Sequence, residues 1–124
     1  LSSQGDLVNG GTHLRDAIAI CDETWPSAAG AFRGSLALIL AQQGDFGEAR
    51  SLVEQGEPQV RDVYKLEFGK LLCKKSQVES LAGDSTAAAS ALAEAEAIAT
   101  EVMADPGSEL GVALAEARVA QGHG

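Results

Sequence analysis

Aromatic side chains are scarce in this 124-residue chain: three Phe, one Tyr and one Trp, 4% of the total. Any core must therefore be aliphatic. Proline occurs three times, each time between stretches of helical pattern, and no run alternates in the β manner, so almost no strand is expected. Cysteine occurs twice, as Cys21 and Cys73. That number and separation exclude a disulfide framework and the usual zinc-ligand spacings. The two thiols are expected to be small, buried or half-buried packing groups, which suits a reducing, cytoplasmic compartment. Histidine also occurs twice, as His13 and His123. There is no glycine-rich phosphate loop, no His-Glu-x-x-His and no Cys-x-x-Cys. Glu94 and Glu101 share a helix face, but such carboxylates are ordinarily solvated. The expectation is a protein that is not an enzyme and needs neither cofactor nor metal.

Positive charge is also in short supply. Nine Lys and Arg face 18 Asp and Glu, for a net charge of −9. Such a chain repels nucleic-acid phosphates and anionic membranes, so neither is an expected partner. No apolar run reaches the ~20 residues that a bilayer span needs, and no signal-peptide pattern is present. The chain begins at Leu1 without a Met, which suggests a part of something longer.

What is abundant is Ala, Leu and Val, and the first two are the best helix formers. One turn recurs at equal intervals, as Gln4-Gly5-Asp6, Gln43-Gly44-Asp45 and Ala82-Gly83-Asp84. Gly ends a helix by adopting a left-handed conformation, and Asp caps the next helix. Asp45 and Glu48 also match a capping box. Four residues past each Asp stand Gly10, Ala49 and Ala88, and eight past stand Leu14, Val53 and Leu92. Small then apolar, in register, reads as a helical hairpin packed closely. Self-similarity at a fixed period of a few tens of residues points to a solenoid.

The expected fold is all-α, a right-handed superhelix of antiparallel helical hairpins with a C-terminal capping helix. A single domain, 1–124, divides into a partial first repeat 1–25, repeats 26–57 and 58–104, and a capping helix 105–122. The helices are expected at about 6–24, 26–43, 45–55, 58–82, 84–104 and 106–121, with sharp bends at Gly5, Gly44 and Gly83, a stop at Gly56 and starts at Pro26, Pro58 and Pro106. Val60, Val63 and Tyr64 then form an apolar stripe on the extended fourth helix, serving packing or a binding ledge.

Ala41-Gln42-Gln43-Gly44-Asp45-Phe46-Gly47-Glu48-Ala49-Arg50, Leu81-Ala82-Gly83-Asp84 with Ala88, and the run Ala91 to Ile98 resemble tetratricopeptide repeats. More narrowly, the chain is similar to the C-terminal repeats of large bacterial regulatory and signalling proteins. The likeness covers residues 4 to 104. It departs from the family in its period, which is longer than the family's usual one, and in Gly10, which replaces the usual Ala. The resemblance implies a scaffold that binds a protein or peptide. It implies a concave face lined by the first helix of each hairpin, with Ala31, Gly34, Leu38 and Ala41 from one and Lys70, Cys73, Gln77 and Ser80 from the next. Lys70 and Lys74 match basic positions that clamp a peptide carboxylate in some members, but Ser35 stands where an Asn is expected, leaving the clamp incomplete. The candidate binding set is Gly34, Leu38, Lys70, Cys73, Lys74 and Gln77.

Five of the nine basic residues fall within 57–80, against four acids, while residues 1–56 hold three against seven and residues 81–124 one against seven. A locally basic helix suits an acidic peptide or the protein's own acidic flanks. A second reading makes these repeats a purely structural cap on a longer array. A small-molecule or enzymatic domain would need a deep pocket with convergent polar groups, for which the sequence gives no reason. Leu7, Leu14 and Ile18 should line an uncovered strip on the first helix, through which the chain could form a homodimer. Gly44→Val should lower stability by about 1 kcal/mol or more, because a β-branched residue would be forced to positive φ; a thermal melt measures it.

Overall fold

The computed structural model describes the backbone of residues 4–123 and the side chains of residues 10–121. Its helices are α1 (Gln4–Thr24), α2 (Pro26–Gln42), α3 (Phe46–Val60), α4 (Lys65–Ala82), α5 (Ser85–Glu101) and α6 (Glu109–Arg118), followed by a π-turn at Val119–His123. No strand occurs among the described residues. None of their helices is long and apolar enough to cross a membrane.

The repeat period governs where helices begin. The interval from Gly44 to Gly83 also separates the start of α2 from that of α4, and the start of α3 from that of α5. Two kinds of bend alternate. At Gly44 and Gly83 the backbone turns left-handed, with φ of +87° at both. Asp45 N–H donates to Leu40 O at 2.8 Å and Gly44 N–H to Ala41 O at 3.0 Å. Asp84 and Gly83 repeat the pattern on Glu79 O and Ser80 O. These paired bonds satisfy the last carbonyls of the helix. The Asp45 carboxylate then accepts from Glu48 N–H at 3.3 Å, and Asp84 from Ala87 N–H at 3.0 Å. The Glu48 side chain does not close a capping box and instead meets Arg15 at 3.1 Å.

The other bend has no glycine. Trp25 and Tyr64 stop α1 and α3 with φ near −150°. Each residue's own carbonyl opens the next helix, accepting from Ala29 N–H and Phe68 N–H respectively. Met103 closes α5 in the Gly44 manner at φ +56°, the one non-glycine residue of positive φ among those described.

Several expected boundaries are corrected. Gly5 lies inside α1 and makes no bend. Gly56 and Pro58 lie inside α3, which continues to Val60, so α4 starts at Lys65 and not at Pro58. Gly56 is a packing glycine. A Cβ on it would lie 3.0 Å from Gly30 O, and a Cβ on Gly30 would lie 2.9 Å from both Gly56 O and Val60 Cγ1. Pro58 removes one hydrogen bond from the last turn of α3, while Val60, fully buried, anchors that turn. Val60 therefore belongs to the core, and Val63 and Tyr64 sit exposed in the bend, not on an extended helix. α5 ends at Glu101, short of Ala104. α6 starts after Ser108, whose hydroxyl accepts from Gly111 N–H at 3.1 Å, and not at Pro106.

Packing is between near neighbours. Each helix from α1 to α6 packs on the next, and in addition α2 packs on α4 and α4 on α6. The backbones of α1, α3 and α5 stay apart, bridged only by side chains such as Arg15 and Glu48. One core cluster joins Ile18, Leu36, Leu40, Leu52, Val53 and Val78; a second joins Leu72, Cys73, Leu92, Leu110 and Leu114. Ala49 and Ala88 are fully buried, as the repeat register requires. Cys73 is buried and Cys21 half-buried, both as free thiols.

Polar ties cross the helix seams. Arg33 of α2 grips Asp22 of α1 through two bonds of 2.6 and 2.8 Å and also reaches Gln59 of α3 at 2.7 Å. Gln59 donates to the same Asp22 oxygen at 3.1 Å. The Arg33 hydrogen bond, then that of Gln59, lower the Asp22 carboxyl from 3.8 to about 2.

Three outcomes are expected. Gly30→Ala should cost about 1–3 kcal/mol by overpacking, although Ala is the better helix former. Gly47→Ala, at a site with nothing within 4 Å, should raise stability by about 0.5–1 kcal/mol; urea titrations of both variants give the comparison. Asp22 has a depressed folded-state pKa, so its stabilising effect is complete above about pH 4 and fades as pH falls towards 2. Asp22→Asn should flatten the acid limb of the stability profile across that window while leaving its shape near neutral pH unchanged.

Candidate binding groove

The row α2, α4 and α6 presents a groove of about 570 Å³. Its lip carries Trp25 and Tyr64, 64% and 54% exposed. Their position follows from the bends. Trp25 N–H donates to Cys21 O at 2.7 Å and Tyr64 N–H to Val60 O at 2.9 Å. With both backbone groups of each residue engaged in the turn, the rings stand off the ends of α2 and α4. Ala28, Ala31 and Phe32 of α2 and Leu110 of α6 supply the apolar wall. A smaller groove of about 240 Å³ continues along α2 and α4, past Ser35, Leu71 and Lys74.

The floor is charged. Lys70 Nζ donates to Glu109 Oε1 at 2.6 Å and to Glu67 Oε1 at 3.1 Å. Burial works against the Lys70 charge, but the hydrogen bonds to Glu109 and Glu67 outweigh it and raise the pKa above the ordinary lysine value. Lys70 in turn lowers that of Glu109. The second Glu67 oxygen is buried without a hydrogen-bond partner. Beside the groove, the Arg61 guanidinium lies 5.5 Å from the centroid of Phe68. The arrangement offers a flat aromatic lip over an aliphatic wall, suited to an apolar side chain with polar groups at its base.

The residues expected from sequence divide. Lys70 and Lys74 border the groove, Lys70 already paired. Leu38 and Gln77 are half-buried and line neither groove. Gly34 is buried at the α2/α4 crossing, where a Cβ would lie 2.5 Å from Leu71 Cδ1. Cys73 is fully buried, and burial pushes its thiol up to about 11, which makes it a poor nucleophile. Neither presents a side chain to a ligand. On α1, Ile18 is covered by its own chain and Leu14 packs against the same cluster, so these two form no open strip. Leu7 lies outside the residues whose side chains are described, as does His123. Sequence reasoning does not single out Trp25, Phe32 or Glu67, and it reaches Tyr64 only as part of a helical ledge. A signal for two of them exists: Trp25 and Tyr64 stand apart by the same interval as the glycine turns.

No group of His, Cys, Asp and Glu that could hold a metal ion exists among the described residues. No protein-family model, curated protein or solved structure matches the chain.

Proposed function

We propose that the chain is a protein-interaction module of tetratricopeptide-like design, a superhelix of hairpins that receives a peptide or helix along the α2–α4–α6 row. The observation that carries this reading is the pair Trp25 and Tyr64. Two large aromatic residues occupy one register position in successive hairpins, and both are more than half exposed on the lip of the same groove. Exposed aromatic clusters beside an apolar pocket are costly to leave in water and are the typical anchors of protein interfaces. The regular recurrence of helix starts supports the repeat design. The reading that the segment is only a structural cap draws support from Lys70, whose charge is already satisfied by Glu67 and Glu109.

Trp25 is the only tryptophan, so its fluorescence reports on the groove directly. Peptides selected for binding from a random display library should blue-shift Trp25 emission, and Tyr64→Ala should weaken their binding by about tenfold or more, the loss of one aromatic anchor. Binders that leave the emission unchanged and tolerate Tyr64→Ala would sink the proposal. Removal of the Lys70, Lys74 and Gln77 side chains with no effect on any binder would favour the cap.

A further inference from the structure

The internal repeat gives a standard for how well each outer helix should be covered. In α3, Ala49, Leu52, Val53, Gly56 and Val60 face the crossing with α2 or the seam beside it, and all five are buried. The same positions in α5 are Ala88, Ala91, Leu92, Ala95 and Ala99, of which the first four are buried beneath α4. In α1 they are Gly10, His13, Leu14, Ala17 and Cys21, and none is buried. The reason is topological. α3 lies between α2 and α4, and α5 between α4 and α6, whereas among the described residues the α1 backbone packs on that of α2 alone, with side-chain bonds to α3 at Glu48 and Gln59. The neighbouring Ile20 matches Gln59, which touches Gly30 of the covering helix in its own hairpin, yet Ile20 is 67% exposed.

We infer that α1 carries a docking face, centred on Ala17, Ile20 and Cys21, for one amphipathic helix of another polypeptide, seated as α2 is on α3 and α4 on α5. Two features define the chemistry of that helix. It needs Gly at the crossing, because Gly30 and Gly69 hold that place in the two hairpins, where a Cβ would lie 2.9 and 3.1 Å from its nearest neighbours. It needs a Lys or Arg in its first turn. Glu23 stands on the flank of this face at the position that Glu101 holds on α5, and Glu101 is paired with Lys65, the first residue of the covering α4. Asp16, one turn-pair earlier on the same flank, adds to the negative border. A second copy of the chain is the poorer occupant: its α6, which carries the exposed Val112 and is followed by the exposed Val119, also carries the acids Glu109 and Glu116.

The test uses the intact chain and a labelled peptide spanning residues 64–82, the α4 sequence with Lys65 and Gly69. Fluorescence anisotropy should show saturable binding with a Kd below about 100 μM. Ile20→Glu, at an exposed site, should weaken it at least tenfold, equivalent to about 1.4 kcal/mol. Glu23→Lys should weaken it several-fold, and a peptide carrying Lys65→Glu should restore binding to that variant. No saturation at about 1 mM peptide, or affinity unchanged by Ile20→Glu, would overturn the inference. So would sedimentation showing a dimer that Ile20→Glu converts to monomer, since the occupant would then be a second copy.

Discussion

Gly30 and Gly56 bring α2 and α3 together with backbone against backbone, and much else follows from that contact. A methyl group on either would sit within about 3 Å of the other's carbonyl oxygen. The close crossing draws in Val60, which is fully buried, and so carries α3 past Gly56 and Pro58 to a bend four residues beyond. That bend sets Tyr64 outward. Gly69 stands at the matching place in the next hairpin, where side chains take the part of backbone: Leu110 of α6 and Ile98 of α5 lie 3.1–3.3 Å from where a Cβ would sit. Dispersion and burial of small aliphatic groups at such crossings substitute for the large aromatic core that this composition cannot supply.

The polar residues inside the packing are few. Glu79 is 7% exposed and sits on α4, where an isolated carboxylate would be costly; Arg50 of α3 meets it through three bonds of 2.7 to 3.2 Å. Ser76, fully buried, donates to Ala88 O at 2.8 Å and ties α4 to α5. The Asp22, Arg33 and Gln59 cluster joins three helices near the bend at Trp25. These contacts fix the angle and register of neighbouring helices more than they add net stability, since most reach solvent on one side.

Much of this is legible in the sequence, and the rest is concealed for identifiable reasons. The all-helical fold, the bends at Gly44 and Gly83, the Asp caps and the burial of Ala49 and Ala88 all follow from local chemistry repeated at one spacing. Gly56 reads as a stop because a glycine that ends a helix and one that permits a close crossing look alike in one dimension. The register separates them. Ala17 and Ala95 occupy the same place one repeat away on either side, in the middle of helices, and a stop would not align with alanine. Gly5 misleads the other way, reading as a third copy of the turn, whereas α1 passes through it. Of the candidate binding residues, Lys70 and Lys74 lie along the grooves between α2, α4 and α6, whereas Gly34 and Cys73 are buried in the packing, because one helix position further round turns a groove-lining residue into a core residue, and a small residue gives no hint of which.

The contact pattern also sets how the molecule comes apart. α4 packs on α2, α3, α5, α6 and the C-terminal π-turn, while among the described residues the α1 backbone packs only on that of α2. In a chain whose elements meet only near neighbours, opening proceeds from the ends as a zipper does. Amides of α1 are then the first to be exposed to solvent exchange and those of α4 the last. The exposed face of α1 thus lies on the helix that is held by the fewest backbone neighbours, so an occupant there would act as a clasp, lending order to α1.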